Sequence, residues 1–164
     1  MIEVEKTGTL PRWLSAVNRV VVALQRQGLA IGTMHLISVP GRASGRLRTT
    51  PVSPLTVEGR RYLVAGLEDA DWVRNARAAG WGILSRGRER ERVALVELPV
   101  EGRGAILREF PSKVPHGVAF FRRLYGLPKD ASALPNAFAG LAPRCPVFRV
   151  DHLAAKPDGR GGRE

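Results

Sequence analysis

Cysteine is nearly absent from this sequence. The 164 residues contain one, Cys145, so the chain forms no internal disulfide and no cysteine-rich metal site. His35, His116 and His152 are scattered without a carboxylate at a useful spacing, and the sequence carries no metal-binding or Ser–His–Asp pattern. A protein with a single thiol suits a reducing compartment, and we expect a cytoplasmic location.

Long hydrophobic runs are also missing. The apolar run 20–24 lies between Arg19 and Gln25 and is far shorter than the ~20 residues of a membrane-spanning helix. The N-terminus carries Glu3 and Glu5 rather than a basic segment before an apolar stretch. We therefore expect no signal peptide.

Lysine is scarce, although the chain is strongly basic. There are 26 Lys and Arg residues against 15 Asp and Glu, which gives a formal net charge of +11. The lysines are Lys6, Lys113, Lys129 and Lys156, and all other cations are arginines. This charge indicates an anionic partner, which is a phosphorylated cofactor, an acidic lipid surface or nucleic acid. Sequence-specific nucleic-acid binding is not expected, because the basic residues do not alternate with exposed aromatic residues in a recognisable module.

The length of the chain predicts one domain over residues 1–153. A tail over 154–164, rich in Gly, Pro and charge, is expected to be disordered. Residues 11–27 are predicted to form an amphipathic helix that begins at Pro11 and ends before Gly28. In one interpretation the apolar stripe of this helix packs on the domain. In the other, it contacts a membrane surface or covers the entrance of a substrate site.

Short runs of apolar and β-branched residues, separated by glycines, predict a mostly antiparallel sheet. Six strands are predicted, at 34–40, 46–56, 61–66, 81–86, 90–100 and 144–151. Glu58-Gly59 is expected to form the tip of a hairpin. Because the hairpins are local, alternating strand–helix–strand units are not expected.

Helices are predicted between and after these strands. One, at 69–79, is inserted after the third strand, and 102–126 is expected to be helical with interruptions at Pro111 and Pro115. The stretch 127–143 is expected to be mostly loop. The order of elements predicts an α+β, mainly β fold, with a small barrel, an N-terminal helix, an inserted helix and C-terminal helices.

The segment 41–51 carries the strongest functional signal. Two glycines bracket a tight turn that leads directly into an extended segment, and such a turn leaves backbone N–H groups free to face an anion. On the strand that follows, alternate side chains share a face, so Arg46, Arg48 and Thr50 line one side. A basic, hydroxyl-bearing row beside a glycine turn predicts a cradle for a phosphorylated cofactor.

Four segments carry a resemblance to a known family. They are the turn 41–48 with Pro51 after it, the strand 61–66, the stretch 71–80 and the strand 88–98, with a weaker match at 145–148. With these segments in this order, the chain resembles the deazaflavin-dependent nitroreductase family. The members of that family are split β-barrel proteins that use coenzyme F420, so the resemblance implies a split barrel here.

The resemblance also implies a set of cofactor-binding residues. In the family, the glycine turn and the following strand bind the phosphate and acidic tail of the cofactor. The matching positions here are Arg42, Ser44, Arg46, Arg48 and Thr50. Positions near the deazaflavin ring match Pro51, Ala65, Gly66 and, on the inserted helix, Trp72 and Asn75. The resemblance implies no metal.

The expected function is hydride transfer from the reduced deazaflavin to an electron-poor small molecule such as a quinone, an enone or a nitro compound. The cofactor carries this chemistry, so no dedicated catalytic residue is expected. The aromatic stretch 120–125 is the candidate substrate wall, and Tyr125 is the candidate substrate contact. Phe121 is expected to be a core residue instead. A homodimer is expected because split barrels often pair.

Departures from the family pattern keep two alternatives open. Ala43 stands where many members have a lysine, Thr50 stands where asparagine is common, and the acidic connection 68–71 is short. One alternative is an FMN-dependent oxidoreductase, since related split barrels bind that cofactor. The tail of F420 is an extended polyanion, however, and suits several arginines better than the single phosphate of FMN does. The other alternative is a binding protein that holds a cofactor or lipid without turnover.

Overall fold

The computed structural model describes residues 34–154 and Arg19. Apart from Arg19, the helix predicted at 11–27 lies outside the described residues, as does the end of the tail, 155–164. The helices and strands follow in chain order: β1 His35–Pro40, β2 Leu47–Val52, β3 Leu55–Val57, β4 Arg60–Val64, α1 Asp71–Ala79, β5 Trp81–Arg86, β6 Glu89–Glu97, α2 Val100–Lys113, α3 Val118–Tyr125, α4 Leu134–Ala139 and β7 Val147–His152.

The strands form one antiparallel sheet that curls into a barrel. Their order is β2-β1-β5-β6-β7-β4-β3, so β2 and β3 occupy opposite edges although only Ser53 and Pro54 separate them in sequence. A link of two residues spans roughly 10 Å at most, so the two edges must approach each other. No ladder pairs β2 with β3 within residues 34–154. The barrel is therefore split at this place, which we call the seam.

Two hydrophobic clusters are found among the residues that the structure describes. The first lies inside the barrel under α1, and its fully buried members include Ile37, Val39 and Phe148. The second joins α2, α3 and α4 to β3, β4 and β7, with Phe110, Phe121 and other aromatic rings packed together. The fold class expected from the sequence, an α+β split barrel, is confirmed.

Charged side chains occupy one end of the barrel interior. Glu91 shares its face of β6 with the core residues Val93 and Leu95, because side chains alternate along a strand. Arg61 on β4 donates two hydrogen bonds to the Glu91 carboxylate, at 2.8 and 2.7 Å, and His152 Nδ1 lies 2.8 Å from the same group. The ion pair lowers the pKa of Glu91 to about 2, chiefly through the Arg61 hydrogen bonds.

The strand prediction was wrong at 46–56, and the strand predicted at 90–100 ends early, because β6 stops at Glu97 and α2 begins at Val100. The predicted strand 46–56 is two strands, so residues 34–154 contain seven strands in place of the six predicted. Pro54 has no N–H to donate to a ladder, and the chain crosses the seam at this residue, so pairing cannot continue. The hairpin tip at Glu58-Gly59 is confirmed, and both residues have positive φ, at 50° and 76°.

Two predictions for the C-terminal helices also need correction. Pro111 does not interrupt the helix but lies inside α2, since a helical φ is close to the angle that the proline ring imposes. The stretch 127–143 contains α4 in addition to loops, with Pro135 in the first turn, where a missing N–H costs no helical bond. No helix within the described ranges is long and apolar enough to cross a membrane.

Candidate functional site

A cavity of about 270 Å³ opens at the seam, and we call it the seam cavity. The end of β2, the end of β4, the start of α1 and the α2–α3 region form its walls. Its lining residues are Met34, Thr50, Pro51, Val52, Ser53, Val64, Ala65, Gly66, Leu67, Ala70, Trp72, Phe110, Val114, His116, Gly117, Phe120 and Phe121. The walls are mostly apolar and contain no Asp, Glu, Lys or Arg side chain among these residues, which suits a flat, uncharged ring system.

The wall at the end of β4 is held by main-chain contacts. The Ala65 N–H donates to the Pro146 carbonyl at 2.9 Å, and the Gly66 carbonyl accepts a hydrogen bond from the Tyr125 hydroxyl at 2.5 Å. Gly66 also allows close approach, because a Cβ added there would lie 2.5 Å from Cε1 of Phe120. The Phe120 ring therefore rests directly against the Gly66 backbone and forms one side of the cavity.

A serine and a histidine are hydrogen-bonding partners in the described lining, which also contains the hydroxyl of Thr50. Ser53 Oγ, in the β2–β3 link, lies 3.0 Å from Nε2 of His116, which stands in a 3-10 turn between α2 and α3. The two residues come from segments on opposite sides of the seam cavity. They present a hydroxyl and an imidazole to a space whose other described walls are mostly apolar.

Hydrogen bonds to a buried side-chain amide hold the glycine turn against α1. Asn75 is 2% exposed, and its Oδ1 accepts hydrogen bonds from the Arg42 backbone N–H at 3.1 Å and from Arg42 Nη1 at 2.9 Å. Arg42 Nη2 also reaches Asp71 at 3.2 Å. Within the turn, the Gly45 N–H donates to the Gly41 carbonyl at 2.8 Å, and Gly45 has φ of 72°, which favours glycine.

Two arginines of this region have no counterion among the described residues. The Arg46 and Arg48 side chains make no hydrogen bond or ion pair with other described residues, and both residues are exposed. Arg48 lies on the same face of β2 as Thr50 and Val52, which line the seam cavity. Alternate residues of a strand are about 7 Å apart, so the basic row leads along β2 into the cavity.

Tyr125 and Cys145 lie behind the cavity wall. Tyr125 is half-buried, packs against the second hydrophobic cluster, and contacts the site through its bond to the Gly66 carbonyl. Burial raises the pKa of Tyr125 above its usual value and raises the pKa of the Cys145 thiol to about 11. Both groups therefore stay protonated at neutral pH.

The structure brings part of the predicted set together. Five predicted residues line the seam cavity: Thr50, Pro51, Ala65, Gly66 and Trp72. A second group surrounds the glycine turn and the start of β2: Arg42, Ser44, Arg46, Arg48 and Asn75. Of this group, Asn75 is engaged by Arg42 rather than open to the cavity, and Ser44 Oγ accepts the Arg46 N–H at 3.3 Å.

Ser53 and His116 are cavity residues that sequence reasoning missed. No local signal connects these positions, which are 63 residues apart. The aromatic stretch 120–125 contributes part of the cavity wall, because Phe120 and Phe121 line the cavity. Phe121 is also a core residue, with 3% of its surface exposed. Leu124 of the same stretch is 39% exposed.

No family model and no curated protein matches the chain. Several solved structures are similar. One, from Agrobacterium tumefaciens and of unknown function, is 12% identical, with a TM-score of 0.54, and the match covers 90% of this chain and 58% of that one. Another, described as a domain-swapped dimer, is 18% identical, with a TM-score of 0.52 and coverage of 85% and 97%. A third, described as an F420-H2 dependent reductase, is 20% identical, with a TM-score of 0.49 and coverage of 73% and 94%. At these identities the similarity concerns the fold alone.

Proposed function

We propose that the protein is an oxidoreductase that binds coenzyme F420 at the seam and transfers a hydride to an electron-poor small molecule. When bound, the reduced deazaflavin supplies the hydride. The residues of this chain bind and orient the cofactor and its acceptor. The proposal rests on the geometry of the site together with the ordered motifs of the sequence.

The observation that carries the proposal is the continuity between the basic row and the cavity. Arg46 and Arg48 lack partners among the described residues, and Arg48 shares a face of β2 with the cavity residue Thr50. The two guanidinium groups repel each other because they carry the same charge. An anion that binds between them relieves this repulsion and makes a charge-assisted hydrogen bond to each. An extended ligand with a flat ring at one end and several negative charges at the other fits this arrangement.

The donor set favours F420 over FMN. The phosphate and acidic tail of F420 carry charges along their length, and Arg46 and Arg48 would meet them in succession from the turn toward the cavity. The ring would occupy the seam cavity near Pro51, Ala65 and Gly66, where the walls lack charged side chains. FMN has one phosphate and would leave part of the basic row unpaired.

The acceptor side of the cavity has aromatic walls and one polar pair. Phe110, Phe120 and Phe121 offer apolar surface to a planar acceptor. The Ser53 hydroxyl and His116 imidazole, 3.0 Å apart, would donate a hydrogen bond to its carbonyl, quinone or nitro oxygen. These contacts favour flat, apolar acceptors with one electron-withdrawing oxygen-bearing group.

The test is a titration of the purified full chain with oxidised F420, with FMN in parallel, followed by fluorescence. Saturable binding of F420 at micromolar or lower concentration, with weaker binding of FMN, is expected. Excess reduced F420 is then mixed with the protein and menadione, and several turnovers per protein molecule are expected. Binding of neither cofactor would contradict the proposal, and F420 binding without turnover of any quinone, enone or nitro acceptor would reduce it to cofactor storage.

We also propose that the protein forms a homodimer. Leu47, on the edge strand β2, is 46% exposed, and an exposed edge offers unpaired backbone groups for association. One of the similar structures is described as a domain-swapped dimer. Light scattering coupled to size-exclusion chromatography is expected to give twice the 17.9 kDa chain mass, and the mass of a single chain would contradict this.

A further inference from the structure

A second cavity lies on the other face of β2, and we call it the outer cavity. Its volume is about 470 Å³. The described residues that line it are Leu36, Ser38, Leu47, Thr49, Ser85, Gly87, Arg88 and Arg90. Leu47 and Thr49 alternate with Arg48 and Thr50 along the strand, so the outer cavity and the seam cavity lie on opposite sides of the sheet.

The register of the strands explains why these side chains meet. Leu36 of β1 is paired directly with Ser85 of β5, and Ser85 is paired with Arg90 of β6. Directly paired residues of antiparallel strands point to the same face. Ser38 is likewise paired with Thr49, and their hydroxyl oxygens are 2.8 Å apart. Three hydroxyls and the Arg90 guanidinium therefore share one face of the sheet.

Two arginines that have no ion pair within the described part of the chain line this cavity. Arg88 stands in the β5–β6 turn and Arg90 follows on β6, and neither side chain has a hydrogen bond or ion pair with another described residue. The lining contains no carboxylate among residues 34–154. Glu89 and Glu91 alternate onto the opposite face of β6, and Glu91 is already bound by Arg61. Nothing in the described lining neutralises the two arginines.

We propose that the outer cavity binds a small phosphorylated molecule, independently of the cofactor site. Arg88 and Arg90 would hold the phosphate through charge-assisted hydrogen bonds, with hydroxyl donors from Ser85 and Thr49. The cavity is much larger than a phosphate group, and Leu36 and Leu47 give it an apolar side. The ligand is therefore a phosphate ester whose organic part is apolar and compact.

The experiment uses phenyl phosphate as the probe and inorganic phosphate for comparison, with binding measured by isothermal titration calorimetry on the full chain. Phenyl phosphate is expected to bind at least tenfold more tightly than inorganic phosphate, because its ring covers the leucine side of the cavity. The double variant R88A/R90A is expected to lose about tenfold or more in affinity for phenyl phosphate. Equal affinity of wild type and double variant would overturn the proposal.

The matched control is R92A. Arg92 lies on the same face of β6 as Arg90, but its guanidinium stacks over the Trp81 ring at 4.5 Å and it does not line the cavity. This variant removes one positive charge from the same surface and is expected to bind phenyl phosphate like the wild type. If R92A weakens binding as much as R88A or R90A alone, the attraction is a general effect of charge and the site does not exist.

Two further measurements distinguish a soluble phosphate ester from a membrane surface, and the outer cavity from the cofactor site. Vesicles that contain phosphatidic acid present the same phosphate chemistry on a membrane. Binding to these vesicles without binding of phenyl phosphate would overturn the soluble ligand in favour of a lipid surface.

F420 titrations of R88A/R90A are expected to match the wild type, because these arginines line the outer cavity, on the face of the sheet opposite to the seam cavity. Loss of F420 binding in this variant would overturn the independence of the two sites.

Discussion

The amide oxygen of Asn75 accepts two hydrogen bonds from Arg42, one from its backbone N–H at 3.1 Å and one from its guanidinium at 2.9 Å. One buried side chain of α1 therefore fixes the start of the glycine turn. Since β2 follows this turn directly, the position of Arg46 and Arg48 depends on a residue that does not line the seam cavity.

Replacing Asn75 with alanine is expected to destabilise the protein by about 1–3 kcal/mol, because the buried amide that accepts both Arg42 hydrogen bonds is lost. The measurement is the free energy of unfolding in urea. Arg74→Ala is the control, since Arg74 is exposed and its contact with Asp69, at 3.3 Å, is a surface ion pair worth at most about 1 kcal/mol. Equal losses in the two variants would contradict the role given to Asn75.

Replacing Gly66 with alanine is expected to destabilise the fold by about 1–3 kcal/mol through overpacking, because the new Cβ would lie 2.5 Å from the Phe120 ring. A double-mutant cycle checks this contact. In a Phe120→Ala background the ring is gone, and Gly66→Ala is expected to cost much less. If the cost is the same in both backgrounds, the strain does not come from Phe120.

The Arg61–Glu91 pair predicts a loss of stability in acid. The folded state holds the pKa of Glu91 at about 2, below the usual 4.5, so its contribution is full above pH 4.5 and is lost as the pH falls toward 2. Unfolding free energies measured across this window are expected to fall less steeply for Glu91→Gln than for the wild type. Arg61→Gln is expected to reduce the pH dependence of the unfolding free energy over the same range. If both variants keep the slope of the wild type, the ion pair does not contribute to the acid sensitivity.

Cys145 is expected to resist thiol reagents in the folded protein. Its side chain is fully buried, and burial raises the pKa of the thiol to about 11, so little thiolate exists at pH 8. Because Cys145 is the only cysteine in the chain, all labelling reports on this one thiol. Labelling with a chromogenic disulfide reagent is expected to be slow in buffer and rapid in concentrated urea. Equal rates in both conditions would show that Cys145 is open to solvent.

The barrel and the glycine turn could be predicted from the sequence because their signals are local. Gly80 and Gly87 mark the ends of a helix and a strand, and Glu58-Gly59 forms the hairpin that its residue types favour. The break at Pro54 could not be predicted in this way, because the residues on both sides of it favour strands. It follows from β2 and β3 lying at opposite sheet edges, which is a non-local choice of strand partners.

The candidate site could be predicted only where one short segment carries it. The row of Arg46, Arg48 and Thr50 follows from strand alternation alone. The Ser53–His116 pair and the Gly66–Phe120 contact depend on how the α2–α3 region packs across the seam, and no spacing along the chain reveals such packing. Arg88 and Arg90 are visible in the sequence as charges, but only the strand register shows that they share a cavity with Ser85 and Thr49.

The measurement that tests the central claim most directly is the F420 dissociation constant of Arg48→Ala beside that of Arg60→Ala. Both residues are exposed strand arginines, but Arg60 lies on β4 and lines neither cavity. We predict that Arg48→Ala weakens F420 binding by roughly tenfold with an unchanged melting temperature, and that Arg60→Ala binds like the wild type. Equal affinities for all three proteins would contradict a cofactor site built on the basic row of β2.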